Sequence, residues 1–223
     1  MTTLTTRRFD SRGALDAALA ERLGGAIAAA GASAIMLSGG HTPLPAYRAL
    51  ASRTPRHDER LHILFSDERY VPADSAASNY YQVRPLLDAL ALAPTSLLRV
   101  RTELPLEAAA ADYERALGAL LASGVRISLG LLGLGADGHT ASLFSAEDLT
   151  RAQGHLAIAV QRPDGMSAVS VTPRLLAEVE ALLFVVAGED KRSALQGLEA
   201  HGPHLTAWLA VQERAAVELW CCC

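Results

Sequence analysis

The sequence predicts a single α/β domain built on a mostly parallel sheet that helices cover on both faces. Short apolar runs alternate along the chain with longer segments of helical periodicity, and this alternation is typical of parallel sheets. A chain of 223 residues is long enough for one such domain. No repeat or low-complexity linker divides the chain, so residues 1–223 are expected to form one unit.

Apolar runs bounded by glycine or polar residues are predicted to be strands, and segments with an apolar residue every three or four positions are predicted to be helices. The parallel strands are expected at residues 33–38, 61–65, 127–132 and 182–187. Two closely spaced runs, 155–160 and 166–172, are expected to pair as a small antiparallel addition. Helices are expected at residues 13–31, 44–53, 79–90, 105–123 and from 189 onward, with Gly31 closing the first of them.

Charge and hydropathy exclude several classes of protein. The net charge is -4 and lysine and arginine form no cluster, whereas nucleic-acid-binding domains usually present a basic face. The longest apolar stretches are too short or too interrupted to span a bilayer, and residues 1–10 lack the apolar core of an export signal. We therefore expect a cytoplasmic protein whose partner is a small molecule, with no nucleic acid and no membrane.

The three cysteines are consecutive, at residues 221–223. This spacing suits neither a disulfide framework nor a zinc site, so the sequence predicts a frayed tail without a role, with a reactive thiol tail as the alternative. His201 and His204 share a short loop, but two histidines without a third ligand make a poor metal site. No metal is expected.

The first candidate loop follows the strand at 33–38 and reads Ser38-Gly39-Gly40-His41-Thr42. Glycines let the backbone approach an anion, and the helix that begins next has free amide donors at its first turn. Ser38, Gly39, Gly40 and Thr42 are therefore predicted to bind a phosphate or a developing oxyanion. The alternative is a tight turn in which Thr42 caps the helix.

The second candidate loop follows the strand at 61–65 and contains Asp67, Glu68 and Arg69. A run of charges is usually a solvated surface, but its position after a predicted strand favours a role in binding. Arg69 can hold a phosphate through its planar set of donors. Asp67 is predicted to hold either that arginine or a hydroxyl of the substrate.

The third candidate loop, Gly133–Thr140, contains the spacing of a dinucleotide-binding motif in Gly133, Gly135 and Gly138. That interpretation needs an acidic residue about twenty positions later to hold a ribose, and residues near Ile158 supply none. The loop offers His139 as a base near neutral pH and Asp137 to orient it. An ordinary polar loop is the alternative.

Lys191 is the only lysine among 20 lysine and arginine residues, and it follows a predicted strand at the start of a helix. A lysine there can contact a phosphate as a point charge. An accidental surface lysine is the alternative.

In combination, these loops resemble the 6-phosphogluconolactonase family over nearly the whole chain. The motifs, in order, are Ser38-Gly39-Gly40-x-Thr42-Pro43, Ser66-Asp67-Glu68-Arg69-x-Val71-Pro72, Ser78-Asn79-Tyr80, and the specific run Leu132-Gly133-x-Gly135-x-Asp137-Gly138-His139-Thr140-Ala141-Ser142-Leu143-Phe144. Glucosamine-6-phosphate deaminases and isomerases resemble the chain too, but their Asp-Gly-His loop typically continues into Asn-Glu-Pro. The Ser142-Leu143-Phe144 continuation therefore favours the lactonase.

The resemblance implies hydrolysis of 6-phospho-D-glucono-1,5-lactone to 6-phospho-D-gluconate in the oxidative pentose phosphate pathway, without a cofactor, on a fold of the glucosamine-6-phosphate deaminase/ribose-5-phosphate isomerase-like type. By matching motif, His139 is expected to be the general base and Asp137 its partner, while Arg69 and Lys191 hold the phosphate. We add the inference that amides near Gly39 and Gly40 stabilise the oxyanion. A monomer or a weak homodimer is expected.

The chain departs from the family at several positions. His41 stands where the family often has serine, and residues 205–223 match the family poorly. Ala168 lies close to the position at which the family resemblance implies an arginine. Two alternatives to lactone hydrolysis are an amino-sugar-phosphate deaminase or isomerase and a non-catalytic sugar-phosphate sensor. A sensor of the transcription-regulator type would need a DNA-binding segment, and no basic helix-turn-helix precedes residue 13.

Overall fold

A computed structural model describes residues 2–53 and 55–222. The strands are β1 (Thr3–Arg8), β2 (Ser33–Leu37), β3 (Leu61–Phe65), β4 (Asp67–Arg69), β5 (Arg126–Leu132), β6 (Ala157–Gln161), β7 (Ser167–Val171), β8 (Val179–Ala187) and β9 (Ala216–Cys222). The α-helices are α1 (Arg12–Ile27), α2 (Leu44–Ala51), α3 (Asn79–Leu90), α4 (Leu106–Ala122), α5 (Ala146–Arg151), α6 (Pro173–Ala177), α7 (Arg192–Glu199) and α8 (Thr206–Leu209). Short 3₁₀ turns lie at Pro94–Ser96 and Glu189–Lys191.

The strands form two sheets. Six of them make a parallel sheet in the order β1-β9-β8-β5-β2-β3, and three make an antiparallel sheet in the order β4-β7-β6. The predicted antiparallel pairing of the 155–160 and 166–172 runs is confirmed, with Ile158 opposite Ser170. We did not predict β4, because its three residues are all charged and carry no apolar alternation.

Helices cover both faces of the parallel sheet, as predicted. Successive residues of β2 point to opposite faces: Ile35 and Leu37 pack with α1, α2 and α3, whereas Met36 packs in a second cluster with α4, α6, α7 and α8. The β2 strand is therefore apolar at nearly every position, which is why the sequence showed a continuous apolar run.

The first helix confirms the predicted apolar face, but it ends before the predicted position. Leu15, Leu19, Leu23 and Ile27 are all buried, and the α1 helix ends at Ile27. Gly31 was expected to close it, and this prediction is wrong. Gly31 instead lies in the following turn with a positive φ of 102°, where its amide donates to the Asp58 carboxylate.

The predicted frayed tail is wrong for Cys221 and Cys222, which are part of β9. This strand lies between β1 and β8 in the parallel sheet, and the side chain of Cys221 is buried. The run Val217-Glu218-Leu219-Trp220 has the alternation of a strand, and its burial between two neighbouring strands outweighs any tendency to fray. Cys223 lies outside the described residues.

Tyr113 of α4 stabilises the last residue of the edge strand β3. Its buried hydroxyl donates to the Phe65 carbonyl at 2.6 Å and accepts the Phe65 amide at 2.9 Å. Burial raises the pKa of Tyr113, so the hydroxyl stays protonated at neutral pH. We expect Tyr113→Phe to lower the free energy of unfolding by about 1–3 kcal/mol, because two buried backbone groups lose their partner.

Urea unfolding followed by circular dichroism measures this effect. Tyr81→Phe is the matched control, because Tyr81 is 40% exposed and its loss of a hydroxyl should change the free energy of unfolding by less than about 0.5 kcal/mol. Equal midpoints for Tyr113→Phe and the unmodified protein would contradict the prediction.

Candidate active site

Four loops meet where β2, β3, β5 and β8 end. These strands are neighbours in the order β8-β5-β2-β3 and run parallel, so their carboxyl ends share one edge of the sheet. The loops enclose a cleft of about 440 Å³. Eight of the predicted site residues line it: Ser38, Gly39, Gly40, Thr42, Asp67, Arg69, His139 and Lys191. The ninth, Asp137, contacts His139 from beside the cleft.

His139 and Asp137 form a close pair. His139 Nδ1 lies 2.5 Å from Asp137 Oδ1, with the side chains 25% and 57% exposed. Partial burial raises the pKa of Asp137, but the hydrogen bonds from His139, and its attraction when the imidazole is protonated, outweigh that rise, so this pKa lies below its usual value. An ionised Asp137 on Nδ1 favours a proton on that nitrogen, which leaves Nε2 able to accept one.

The glycine loop closes on itself. The Gly135 amide donates to the His139 carbonyl at 2.8 Å, the Gly138 amide donates to the Gly135 carbonyl at 3.0 Å, and the Thr140 hydroxyl donates to the Gly133 carbonyl at 2.8 Å. A dinucleotide-binding loop opens directly into a helix, but here the next helix begins only at Ala146. The loop therefore presents a side-chain base instead of a helix N-terminus.

Side chains from two helices hold the first loop. The Tyr47 hydroxyl of α2 donates to the Ser38 carbonyl at 2.9 Å, and Arg12 of α1 donates to the Thr42 carbonyl at 2.7 Å. The alternative in which Thr42 caps α2 is wrong, because the capping position is Pro43 and no side chain caps the helix.

The two glycines of this loop have different surroundings. The Gly40 amide donates to Gln82 Oε1 at 3.2 Å, so a ligand that uses this amide must displace Gln82. A Cβ on Gly39 would lie 2.0 Å from Asn79 Oδ1, so only glycine fits against that buried amide. Gly39 thus allows the first loop to pack tightly on the start of α3.

Asp67 links the second loop to the segment that follows the third loop. Its carboxylate accepts the hydroxyls of Ser66 and Ser142, each at 2.8 Å, and it is buried. Arg69 donates instead to the Ala77 carbonyl at 2.9 Å. The predicted contact between Asp67 and Arg69 is therefore not observed. Asp67 instead orders the cleft wall through two serine hydroxyls.

Glu68 is buried and does not line the cleft, so it is no solvated surface charge. Its carboxylate accepts the amides of Asn79 at 2.7 Å and Tyr80 at 2.8 Å, and the Ser78 hydroxyl at 3.1 Å. Burial raises the pKa of Glu68, and these donors offset part of that rise. A carboxylate at a helix N-terminus satisfies amides that lack helical partners, so Glu68 fixes the start of α3.

Lys191 lies in the 3₁₀ turn after β8, and its side chain is 26% exposed. Its Nζ is 3.4 Å from Asp190 Oδ2, and both residues line the cleft. The ammonium group is therefore available at the side of the cleft formed by the β8 strand.

Two arginines that line the cleft, Arg12 and Arg162, were not among our predictions. Arg162 follows β6, and its guanidinium pairs with Asp164 at 2.9 Å. It begins an Arg-Pro-Asp-Gly segment, a composition typical of a turn and not of a binding site. Its approach to the cleft depends on how the small sheet packs. Ala168, the departure from the expected arginine, lies opposite Arg69 across β4 and β7.

The described residues offer no evident metal site and no membrane span. Within 2–53 and 55–222, no group of three or more His, Cys, Asp or Glu side chains is arranged to hold a metal ion. His201 instead stacks on Trp208 with ring centroids 4.1 Å apart. In the same ranges, no helix is long and apolar enough to cross a membrane.

Residues 10–218 match the protein family described as glucosamine-6-phosphate isomerases/6-phosphogluconolactonase. The chain belongs to this family. It is 35% identical over 165 residues to the 6-phosphogluconolactonase of Thermotoga maritima, with 72% of each chain covered. It is 37% identical over 185 residues to that of Treponema pallidum, covering 78% of this chain and 76% of the relative.

Solved structures of the family share the fold. The crystal structure of the Thermotoga maritima 6-phosphogluconolactonase matches with a TM-score of 0.83 and 27% identity, covering 99% of this chain and 100% of that one. The 6-phosphogluconolactonase of Shewanella baltica matches with a TM-score of 0.81 and 27% identity, covering 100% and 98%. A monomeric glucosamine-6-phosphate deaminase reaches 0.80 at 15% identity, covering 98% and 97%, and this match shows the fold alone. The predicted fold class and family are confirmed.

Proposed function

We propose that this protein hydrolyses 6-phospho-D-glucono-1,5-lactone to 6-phospho-D-gluconate in the oxidative pentose phosphate pathway. The observation that carries the proposal is the His139–Asp137 pair, 2.5 Å apart, in a cleft that also contains Arg69 and Lys191. A base and two cations in one cleft suit a substrate with a hydrolysable carbonyl and a phosphate. Relatives at 35% and 37% identity are 6-phosphogluconolactonases.

In the proposed reaction His139 acts as the general base. With Asp137 on Nδ1, the Nε2 atom takes a proton from water as the water oxygen attacks the lactone carbonyl. The carbonyl oxygen carries negative charge in the tetrahedral intermediate. When the ring C–O bond breaks, the proton passes from Nε2 to the departing ring oxygen, which becomes a hydroxyl, and the new acid ionises to the carboxylate.

Four other cleft residues are proposed to hold the substrate. Arg69 and Lys191 bind the phosphate, because charged hydrogen bonds to phosphate are stronger than neutral ones. Amides of Gly39 and Gly40 are proposed to stabilise the oxyanion, with the Gly40 amide exchanging Gln82 for the ligand. The protein is further proposed to act in the cytoplasm on this small molecule, as a monomer or weak homodimer.

The test is decay of freshly prepared lactone, followed by the appearance of 6-phosphogluconate. The expected result is a first-order decay whose rate rises in proportion to the protein concentration. Decay at the spontaneous rate would overturn the proposal. Release of ammonia from glucosamine 6-phosphate would favour the deaminase, and tight binding of 6-phosphogluconate without turnover would favour a sensor.

Lys191→Met is expected to raise KM for the lactone by about 10- to 100-fold with little change in kcat, because one charged hydrogen bond to phosphate contributes about 1.5–3 kcal/mol. Initial rates over a range of lactone concentrations separate the two constants. Arg115→Met is the matched control, because it removes a remote cation that pairs with Asp112 at 3.0 Å. An unchanged KM, or an equal rise in the control, would contradict the assignment of Lys191.

A further inference from the structure

The ring of Phe144 contacts two side chains of the cleft. Its centroid lies 4.3 Å from that of the His139 imidazole, with the planes tilted by 42°. The guanidinium carbon of Arg162 lies 5.2 Å from the same centroid. The candidate base and a cleft cation therefore touch one aromatic ring.

The backbone around Phe144 is anchored on both sides. Its amide donates to Asp148 Oδ2 at 2.9 Å, and the same carboxylate caps α5 together with Ser145. The preceding residue, Leu143, is buried, and its amide donates to the Thr140 carbonyl at 3.0 Å. The backbone from which the Phe144 ring projects is therefore fixed, although the ring is only partly buried.

His139 needs a second contact to have one orientation. The bond to Asp137 holds Nδ1, but Asp137 is 57% exposed and cannot enclose the imidazole. Tilted contacts between aromatic rings are favourable and directional. The face of Phe144 thus restricts rotation of the imidazole and sets where Nε2 points.

Arg162, like His139, is held by one carboxylate and by the Phe144 ring. Asp164 pairs with its guanidinium, the Phe144 ring contacts it, and its side chain is only 15% exposed. A cation against an aromatic face is stabilised by the ring electrons. Arg162 lines the cleft, so the ring sets the position of a positive charge as well as that of the base.

We propose that Phe144 is a positioning residue that keeps His139 and Arg162 at a fixed separation, so that Arg162 binds the anionic end of the substrate while His139 faces the carbonyl. The proposal rests on the function proposed above. Phe144 acts through the two side chains that it contacts, and its substitution should change both base catalysis and substrate binding.

The first experiment compares kcat and KM for the lactone in Phe144→Leu, Phe144→Tyr and a matched control. Phe144→Leu is expected to lower kcat about 10- to 100-fold, since small misplacements of reacting groups cost this much, and to raise KM. Phe144→Tyr keeps the aromatic ring, so its kcat and KM should stay near those of the unmodified protein. The control is Phe9→Leu, because Phe9 also contacts an aromatic ring, Trp220 at 5.5 Å, and a guanidinium, Arg7 at 4.6 Å.

The second experiment adds Arg162→Met. Alone it should raise KM with kcat nearly unchanged, and in the Phe144→Leu background it should raise KM by less, because residues in contact act non-additively. Independent effects of the two substitutions on KM, or values for Phe144→Leu equal to those of Phe9→Leu, would overturn the proposal.

A third measurement needs no turnover. In proton NMR the imidazole signals of His139, assigned by their loss in His139→Ala, should carry a ring-current shift that disappears in Phe144→Leu and remains in Phe144→Tyr. A shift that persists in Phe144→Leu would overturn the proposal. An inactive unmodified protein would overturn the proposed function, whereas an active protein indifferent to Phe144→Leu would overturn this inference alone.

Discussion

Replacing His139 with alanine is expected to lower kcat for lactone hydrolysis by about 10²- to 10⁴-fold, the usual contribution of a positioned general base. The side chain lines the cleft and its Nδ1 pairs with Asp137 at 2.5 Å. Because His139 is not proposed to bind the phosphate, KM should change much less than kcat. Initial rates at saturating lactone, corrected for spontaneous hydrolysis, measure the effect.

His155→Ala is the matched control for this substitution. His155 also has a carboxylate on Nδ1, that of Glu114 at 3.1 Å, but it lies away from the cleft. Its replacement should leave kcat within about twofold, because it makes no contact with the substrate in the proposed reaction. A fully active His139→Ala variant would show that the base is another group.

Gly135→Ala is expected to reduce activity nearly as strongly while the protein remains folded. A Cβ at position 135 would lie 2.1 Å from His139 Nδ1 and 2.3 Å from Asp137 Oδ1. Both atoms belong to partly exposed side chains that can rotate away. The loop can therefore keep its backbone structure while the His139–Asp137 contact is lost. We expect kcat to fall about 10²-fold or more, as for a displaced catalytic group.

The same loop supplies the control. Gly133→Ala places its Cβ where no protein atom lies within 4 Å, so the His139–Asp137 pair is undisturbed. We expect a near-normal kcat and an unchanged thermal midpoint, and any change should be confined to KM because Gly133 lines the cleft. Activity in Gly135→Ala equal to that in Gly133→Ala would contradict the close approach of the His139–Asp137 pair to this glycine. A crystal structure of Gly135→Ala should show the imidazole in a different rotamer.

The parallel core of the fold was predictable because its strands are buried on both faces. Strands such as β2 and β3 are continuous apolar runs in the sequence. Their predicted bounds, residues 33–38 and 61–65, agree with the structure to within one residue. The edge strand β1 was not predicted, because Thr3–Arg8 is polar and partly exposed. The β9 strand was not located, because residues 205–223 match the family poorly and three consecutive cysteines indicated a tail. Burial between neighbouring strands determines its structure instead.

The candidate site was predictable to the extent that strand ends determine it. Loops after parallel strands share one edge of a sheet, so Ser38, Arg69, His139 and Lys191 were expected to meet and do so. Contacts between side chains far apart in sequence were not predictable. Arg162 reaches the cleft only because a second sheet packs there, a tertiary arrangement that no local pattern in its turn encodes.

The position of β9 has a consequence for the order of folding. The Arg8 guanidinium donates a hydrogen bond to Cys221 Sγ, 213 positions away in the sequence. The β1 strand joins the large sheet through β9. Contacts of such sequence separation form slowly, because a long loop must close before they contribute. Until β9 docks, β1 has no neighbour and β8 presents an open apolar edge, so folding intermediates should be prone to strand-to-strand association at that edge.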